Sequence, residues 1–495
     1  MTNPLFNALS RHAPWQQAVS ALSKGQHVAL YDATESQRAY LVAALAELTG
    51  RQVIYIVPSE QAAMRAAEDC AHLLMDARAA LLPAQELQFI RAVRSRDTQW
   101  RRLTVLDQAL SGQLRVLCLA ADTLLSRMMP AQAYQGVATL RIGQEHDLQQ
   151  LVIMLSDLGY ERVDMVEGRG QFAVRGDLLD IFPPCLNDAV RVEFFDTQVD
   201  AIRSFDTLTQ RSIAPLNEVR LTPAMEYYVA PAHRKQAFAA MQQAIARGSQ
   251  ARSCMLDQYA LPPEEEADIP PQAPLGLEQL MLDAQQLADT GHFTGIQEWV
   301  HLVLPQSVGL WALLPDAIIV VDTPDRVRAR MEDRTTGFAS DLEQAIAHGE
   351  ATPDQQNLLF TADEVQSALQ PRAVLTVQEL LRGQLGLQTD LAIALKGVGA
   401  SGYTSRYADL ARDIADWQKQ GWQITLLMGS ATRAQRVRTA LQEFSVYLSE
   451  PDTASGNLLL SSQPFSRGFV LEQAGLAVLT DTDIFGSERR RTRQR

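Results

Sequence analysis

The run His27-Val28-Ala29-Leu30-Tyr31 and the loop behind it, Asp32-Ala33-Thr34-Glu35-Ser36-Gln37-Arg38-Ala39, decide the architecture. A short apolar run followed by an alanine- and leucine-rich stretch from about Ser36 to Thr49 predicts a buried strand, a loop and a helix. The pattern then repeats. Val53–Val57 reads as a strand stopped by Pro58, Ser59 can cap a helix from Glu60 to about Met75, and Leu114–Leu119 reads as a third strand. Strands alternating with long helices predict a parallel sheet covered on both faces.

The loop is where a nucleotide would sit. In a P-loop ATPase a strand leads into GxxxxGK[ST] and a helix; the glycines let backbone N–H groups reach the phosphates, the lysine reaches the terminal ones and the hydroxyl holds magnesium. Here Asp32 and Gln37 stand at the glycine positions, Arg38 at the lysine position and Ala39 at the hydroxyl position. Asp32 and Glu35 would also repel phosphate. Taken alone, the segment is an ordinary strand–loop–helix turn. The magnesium-holding partner should be an Asp-Glu pair after another buried strand. Ala317–Val321, bounded by Pro315 and Pro324, is such a strand, but it runs into Asp322 and Thr323 and the glutamate is absent. Two halves of an ATPase site, both in outline and both stripped, say more than either alone. Gly429-Ser430, after the strand Ile424–Met428, could offer a helix N-terminus to an anion, yet such a turn is common in α/β proteins.

Near Ile142 the pattern changes. An amphipathic helix from about Asp147 to Leu158 is followed by short strands at Gln171–Arg175, Leu178–Phe182, Ala189–Phe195 and Ala201–Phe205, which predicts a small α+β insert. In Ala189–Phe195 the side chains alternate, so Val190, Val192 and Phe194 share the core face. Arg191, Glu193 and Phe195 share the other, which reads as otherwise polar. An outward phenylalanine among arginines, Arg175 included, has the composition of a protein–protein anchor. A partly covered ring with solvated arginines is the plainer reading.

From about Leu221 the chain returns to helices. Leu261–Pro274, with five prolines and an acidic run, reads as a surface loop. A further α/β unit spans about Asp390 to Asp483, and the tail Ser487–Arg495 carries five arginines in its last seven residues. The 495 residues suit about three domains. With 46% hydrophobic and 21% charged residues, disorder is excluded, and no apolar run approaches a membrane span. A net charge of −14 argues against a whole-chain DNA clamp. Cys70, Cys118, Cys185 and Cys254 are scattered, which excludes a zinc site of the usual spacing; no metal is expected. The N-terminus lacks a basic start followed by an apolar run, so a cytoplasmic protein without a signal peptide is expected.

Three segments carry a family resemblance. Arg175-Gly176-Asp177-Leu178-Leu179-Asp180-Ile181-Phe182-Pro183, Arg191-Val192-Glu193-Phe194-Phe195-Asp196 and Ile202-Arg203-Ser204-Phe205-Asp206, ending in Gln210-Arg211-Ser212, resemble the insert shared by UvrB and the transcription-repair coupling factors (Mfd). Asp483-Ile484-Phe485-Gly486 and the arginines behind it resemble the point in that family just before its RNA-polymerase-interacting domain. The resemblance covers essentially the whole chain. It is strongest from about Leu151 to Ser212 and at the C-terminus, and weak from about Tyr228 to Gln384.

The resemblance implies an α/β, multidomain fold with the following parts. Residues 1–140 would be a UvrB-like domain with a degenerate P-loop-type parallel sheet, and 141–220 the UvrA-binding α+β insert. Residues 221–384 would complete the UvrB-like body, 385–484 would be a separate small α/β domain of no assigned role, and 485–495 a basic linker. The stretch Leu82–Arg102 is too short for the aromatic hairpin with which UvrB probes DNA. The function implied is recruitment of UvrA to RNA polymerase stalled at DNA damage, by mimicry of UvrB. Arg175, Arg191 and Phe195 match family positions implicated in that contact, Phe195 filling a pocket and the arginines pairing with acidic groups. The chain would be a monomer with no catalytic residue, no cofactor and no membrane contact. Polymerase, DNA and an intramolecular contact with a C-terminal domain would involve a part this sequence lacks. The alternatives are a UvrB-like ATP-dependent helicase component and an autoinhibitory scaffold for the missing motor.

Overall fold

A computed structural model describes residues 3–74, 78–87, 89, 96–136, 138–258, 275–382, 385–448 and 457–486. The proline-rich stretch 261–274, the arginine tail 487–495 and part of 82–102 lie outside the described residues.

Seven parallel strands form the main sheet, in the order Leu391–Ala394, His27–Tyr31, Val374–Val377, Ile318–Asp322, Val53–Val57, Val116–Ala120, Ala79–Leu81. Side chains alternate between two cores. Val28, Leu30, Val53, Tyr55, Val116, Cys118, Ile318 and Val320 enter one, and Ile54, Ile56, Leu117, Leu119, Ile319 and Val321 enter the other. The first core is roofed by helices Glu35–Thr49 and Glu60–Leu73. Thr34 and Gln37 cap the former reciprocally, Gly50 ends it in the left-handed conformation, and Ser59 caps the latter. On the other face lie Arg96–Leu110 and the long helix Pro324–His348. The strand His27–Tyr31 thus sits between two strands that arrive some 350 residues later in the chain.

The insert is a six-stranded sheet, Ser212–Leu216, Gln198–Phe205, Ala189–Phe195, Leu178–Ile181, Gln171–Arg175, Glu161–Arg162, antiparallel except for the last pair. Helix Leu148–Asp157, capped by Asp147, buries Leu151 and Leu155 on its inner face. A ribbon of Ala138–Arg141 and Glu218–Leu221 closes its base. Ion pairs tie the insert to the body, among them Arg220 to Asp107 at 2.5 Å and fully buried Arg102 to Glu226 at 2.6 Å.

The C-terminal five-stranded sheet runs Gly397–Gly399, Phe469–Leu471, Leu476–Thr480, Gln423–Leu427, Leu458–Ser461. Its helices Tyr407–Lys419 and Ala431–Gln442 cover one face through Leu410, Ile414, Val437 and Leu441. The opposite face gives Leu459, Phe469, Leu471 and Val478 to the core that also holds Tyr40 and Trp15. The chain is therefore a multidomain α/β protein with a parallel sheet, an α+β insert and further C-terminal α/β elements. The strand Leu391–Ala394 pairs with the main sheet, so the C-terminal unit begins beyond it, later than the break expected at 385.

Candidate docking face and the stripped nucleotide loop

The structure brings Arg38, Asp322 and Thr323 together, although 284 residues separate the first two. Arg38 Nη1 donates to Asp322 Oδ1 at 2.5 Å and to Thr323 Oγ1 at 2.9 Å, and the Tyr55 hydroxyl donates to Asp322 Oδ2 at 2.8 Å. The pair is nearly buried, with side chains 11% and 9% exposed. Burial and the Asp322 charge push the Tyr55 phenol well above its ordinary pKa, so it stays a donor. The Asp32 backbone carbonyl and the Gln37 side chain engage the C-terminal sheet instead. Asp32 O accepts from Gly397 N at 2.9 Å, and Gln37, fully buried, donates to Val470 O. A Cβ on Gly397 would lie 1.8 Å from Gln37 Nε2, so any larger residue there must push the Gln37 amide aside. Glu35 is exposed at the helix start and Ala39 is buried.

Four backbone donors of this loop are spent within the chain. Asp32 N–H goes to Glu379 O, Ala33 N–H to Gln378 O, Thr34 N–H to Gln37 Oε1 and Gln37 N–H to Thr34 O. A phosphate cradle needs such donors turned inward and free. Ser430, at the other glycine turn, uses its hydroxyl to cap its own helix at Arg433 N.

On the insert, Phe195 is 78% exposed while Val190, Val192 and Phe194 are buried. Arg191 makes a two-pronged contact with Asp180, Nε to Oδ1 at 2.6 Å and Nη2 to Oδ2 at 2.8 Å. Arg175 Nη2 reaches the same Asp180 Oδ2 at 3.0 Å. Asp180 is 2% exposed, and its hydrogen bonds raise the Arg191 pKa. Arg203 stands directly across from Arg191 and pairs with Glu193 at 3.3 Å. The alternation puts Glu193 on this face but does not single out Asp180 or Arg203 as partners, because the pairing depends on the hairpin registers. Nor is the outer face polar throughout, as the alternation suggested. Ala173, Ala189 and Phe205 form a second small core there with Val166, and the Arg191 guanidinium lies 4.8 Å above the Phe205 ring. Two alanines do not mark an apolar face in a sequence, which is why this core is invisible there.

This geometry belongs to a module of recognisable class: residues 138–227, the insert with its ribbon, match the UvrB interaction domain. Along most of its length the chain is similar to transcription-repair-coupling factors. It is 23% identical over 457 residues to that of Bacillus subtilis, covering 91% of this chain and 37% of the relative. It is 24% identical over 408 residues to those of Staphylococcus aureus strains MRSA252 and USA300, covering 80% of this chain and 32% of theirs. The chain thus spans about a third of the length of the curated relatives it matches. Among the described residues no helix is long and apolar enough to cross a membrane.

Proposed function

We propose that this chain is a UvrB-mimicking module that recruits UvrA to RNA polymerase stalled at DNA lesions. Its homology to transcription-repair-coupling factors supports a role in transcription-coupled repair. The observation that carries the finer reading is Phe195, 78% exposed on the strand face that also carries Arg191, which with Arg175 is anchored on one buried carboxylate, within a UvrB-interaction-type insert. An exposed aromatic next to oriented guanidinium groups is the usual make-up of an interface hot spot. Phe195 enters an apolar pocket of UvrA; Arg191 and Arg175 meet carboxylates or carbonyls around it.

In this reading the parallel sheet is a scaffold and not a motor. The spent N–H donors of Asp32, Ala33, Thr34 and Gln37 and the Arg38–Asp322 pair support that assignment over a helicase component. Polymerase binding and translocation are assigned to the part of the relatives that this chain does not span. Sedimentation of the chain mixed with purified UvrA tests the proposal: one co-migrating complex is expected, and two independent boundaries at micromolar concentrations would refute it.

A further inference from the structure

We infer that Asp180 is a positioning residue of the docking face: it holds the guanidinium planes of Arg191 and Arg175 at fixed angles on the sheet face that carries Phe195, without itself meeting the partner. The inference rests on the docking reading above. Asp180, at 2% exposure, is too deep to be touched from outside. Its two oxygens take three N–H donors, two from Arg191 and one from Arg175. One two-pronged arginine already compensates a buried carboxylate. The second arginine keeps its head half exposed, with a side chain 51% open to solvent.

The neighbouring charges argue the same way. Arg191 and Arg203 are direct cross-strand neighbours, a like-charge pairing that weakens a sheet. Asp180 and Glu193 relieve it from either side. Five charged groups on four adjoining strands leave one net positive charge, in a chain whose total is −14. Arg191 is held from beneath by the Phe205 ring and edge-on by Asp180, so its Nη1 corner is presented at one angle. Phe195 lies four residues on, on the same face of the same strand. A flexible arginine loses rotamer freedom on binding; one already fixed does not, and this is how Asp180 contributes affinity.

A double-mutant cycle with calorimetric titration of UvrA tests this, using the wild type, Asp180→Asn, Arg191→Ala and the double variant, each with its melting curve. Asp180→Asn is expected to weaken binding about tenfold or more. In the Arg191→Ala background the same change is expected to cost less than about threefold, while it stays additive with Phe195→Ala. A merely structural Asp180 would cost the same in every background, and that result overturns the inference. A second readout needs no partner. With 15N-labelled arginine, the Arg191 Nε–H is expected to be protected from exchange in the wild type and averaged in Asp180→Asn. Equal protection in both overturns the positioning role even if UvrA binds. Failure of the wild type to bind UvrA, with protection lost in the variant, removes the docking reading and leaves the clamp standing.

Discussion

Replacing Arg38 by alanine strikes the join between two strands that a working ATPase would bridge with a nucleotide and magnesium. Arg38 spans from the first loop to the end of Ile318–Asp322, and its partner's carboxylate is 9% exposed. Removing one member of a buried ion pair costs about 3–5 kcal/mol, because the other charge is left without compensation. Tyr55 and Thr323 still donate to Asp322, which places the loss near the lower end, about 3 kcal/mol. For a cooperative unit of some two hundred residues that is a fall of roughly 6–12 °C in melting temperature. Differential scanning calorimetry reads it as a shift of the main-sheet transition alone. Combining Arg38→Met with Asp322→Asn removes both charges and keeps an acceptor for Tyr55, so most of the loss is recovered. A single variant melting within about a degree of wild type refutes the idea that this pair stands in for the lost ligand.

Three further outcomes follow from the same structure. Titration with Mg-ATP is flat for the wild type and stays flat for Arg38→Ala, because the N–H groups of Asp32, Ala33, Thr34 and Gln37 are already bonded to the chain and the P-loop glycines, lysine and hydroxyl are replaced; saturable micromolar binding by either contradicts this. Gly397→Val pushes the Gln37 amide off its bonds to Thr34 N–H and Val470 O and loosens the C-terminal sheet on the loop, seen as faster hydrogen exchange at Gly397 and its partner strand, whereas Val398→Ala, at a half-exposed position, changes nothing. Burial lowers the His301 pKa to about 4, against 6.5 for a free imidazole. Stability from keeping it neutral is complete above pH 6.5 and is lost as pH falls toward 4, by at most about 3 kcal/mol; His301→Gln flattens that slope, and an unchanged slope assigns it elsewhere.

Much of the main sheet is legible in the sequence because its strands are short apolar runs with helices between them. Val374–Val377 and Leu391–Ala394 are not, being only four residues long with polar flanks such as Gln378 and Asp390. What makes them strands is the partner on either side of His27–Tyr31, a contact across some 350 residues that no local pattern encodes. The loss of the P-loop residues can be read directly at positions 32–39. What took their place cannot, since Arg38 finds Asp322, and Gln37 finds Gly397, only in three dimensions. Period-two alternation places Phe195 outward, and it is outward. The same alternation makes Arg191 look like a solvated charge, whereas its side chain is 20% exposed and clamped to a buried acid. Charge reversal at Arg191 would therefore set a glutamate against Asp180 and disturb the insert itself, so it does not isolate the binding contribution.

Phe195→Ala does isolate it. The ring is 78% exposed and lies outside the insert's core, so its loss leaves the melting curve unchanged. Truncating an interface anchor typically costs about 2–4 kcal/mol, a roughly 30- to 1000-fold loss of affinity. The measurement is capture of purified UvrA by the immobilised chain at micromolar concentration, wild type against Phe195→Ala, with both melts recorded. Capture by the wild type and its loss in an equally stable variant is the predicted result; no capture by the wild type, or equal capture by both, would contradict the account.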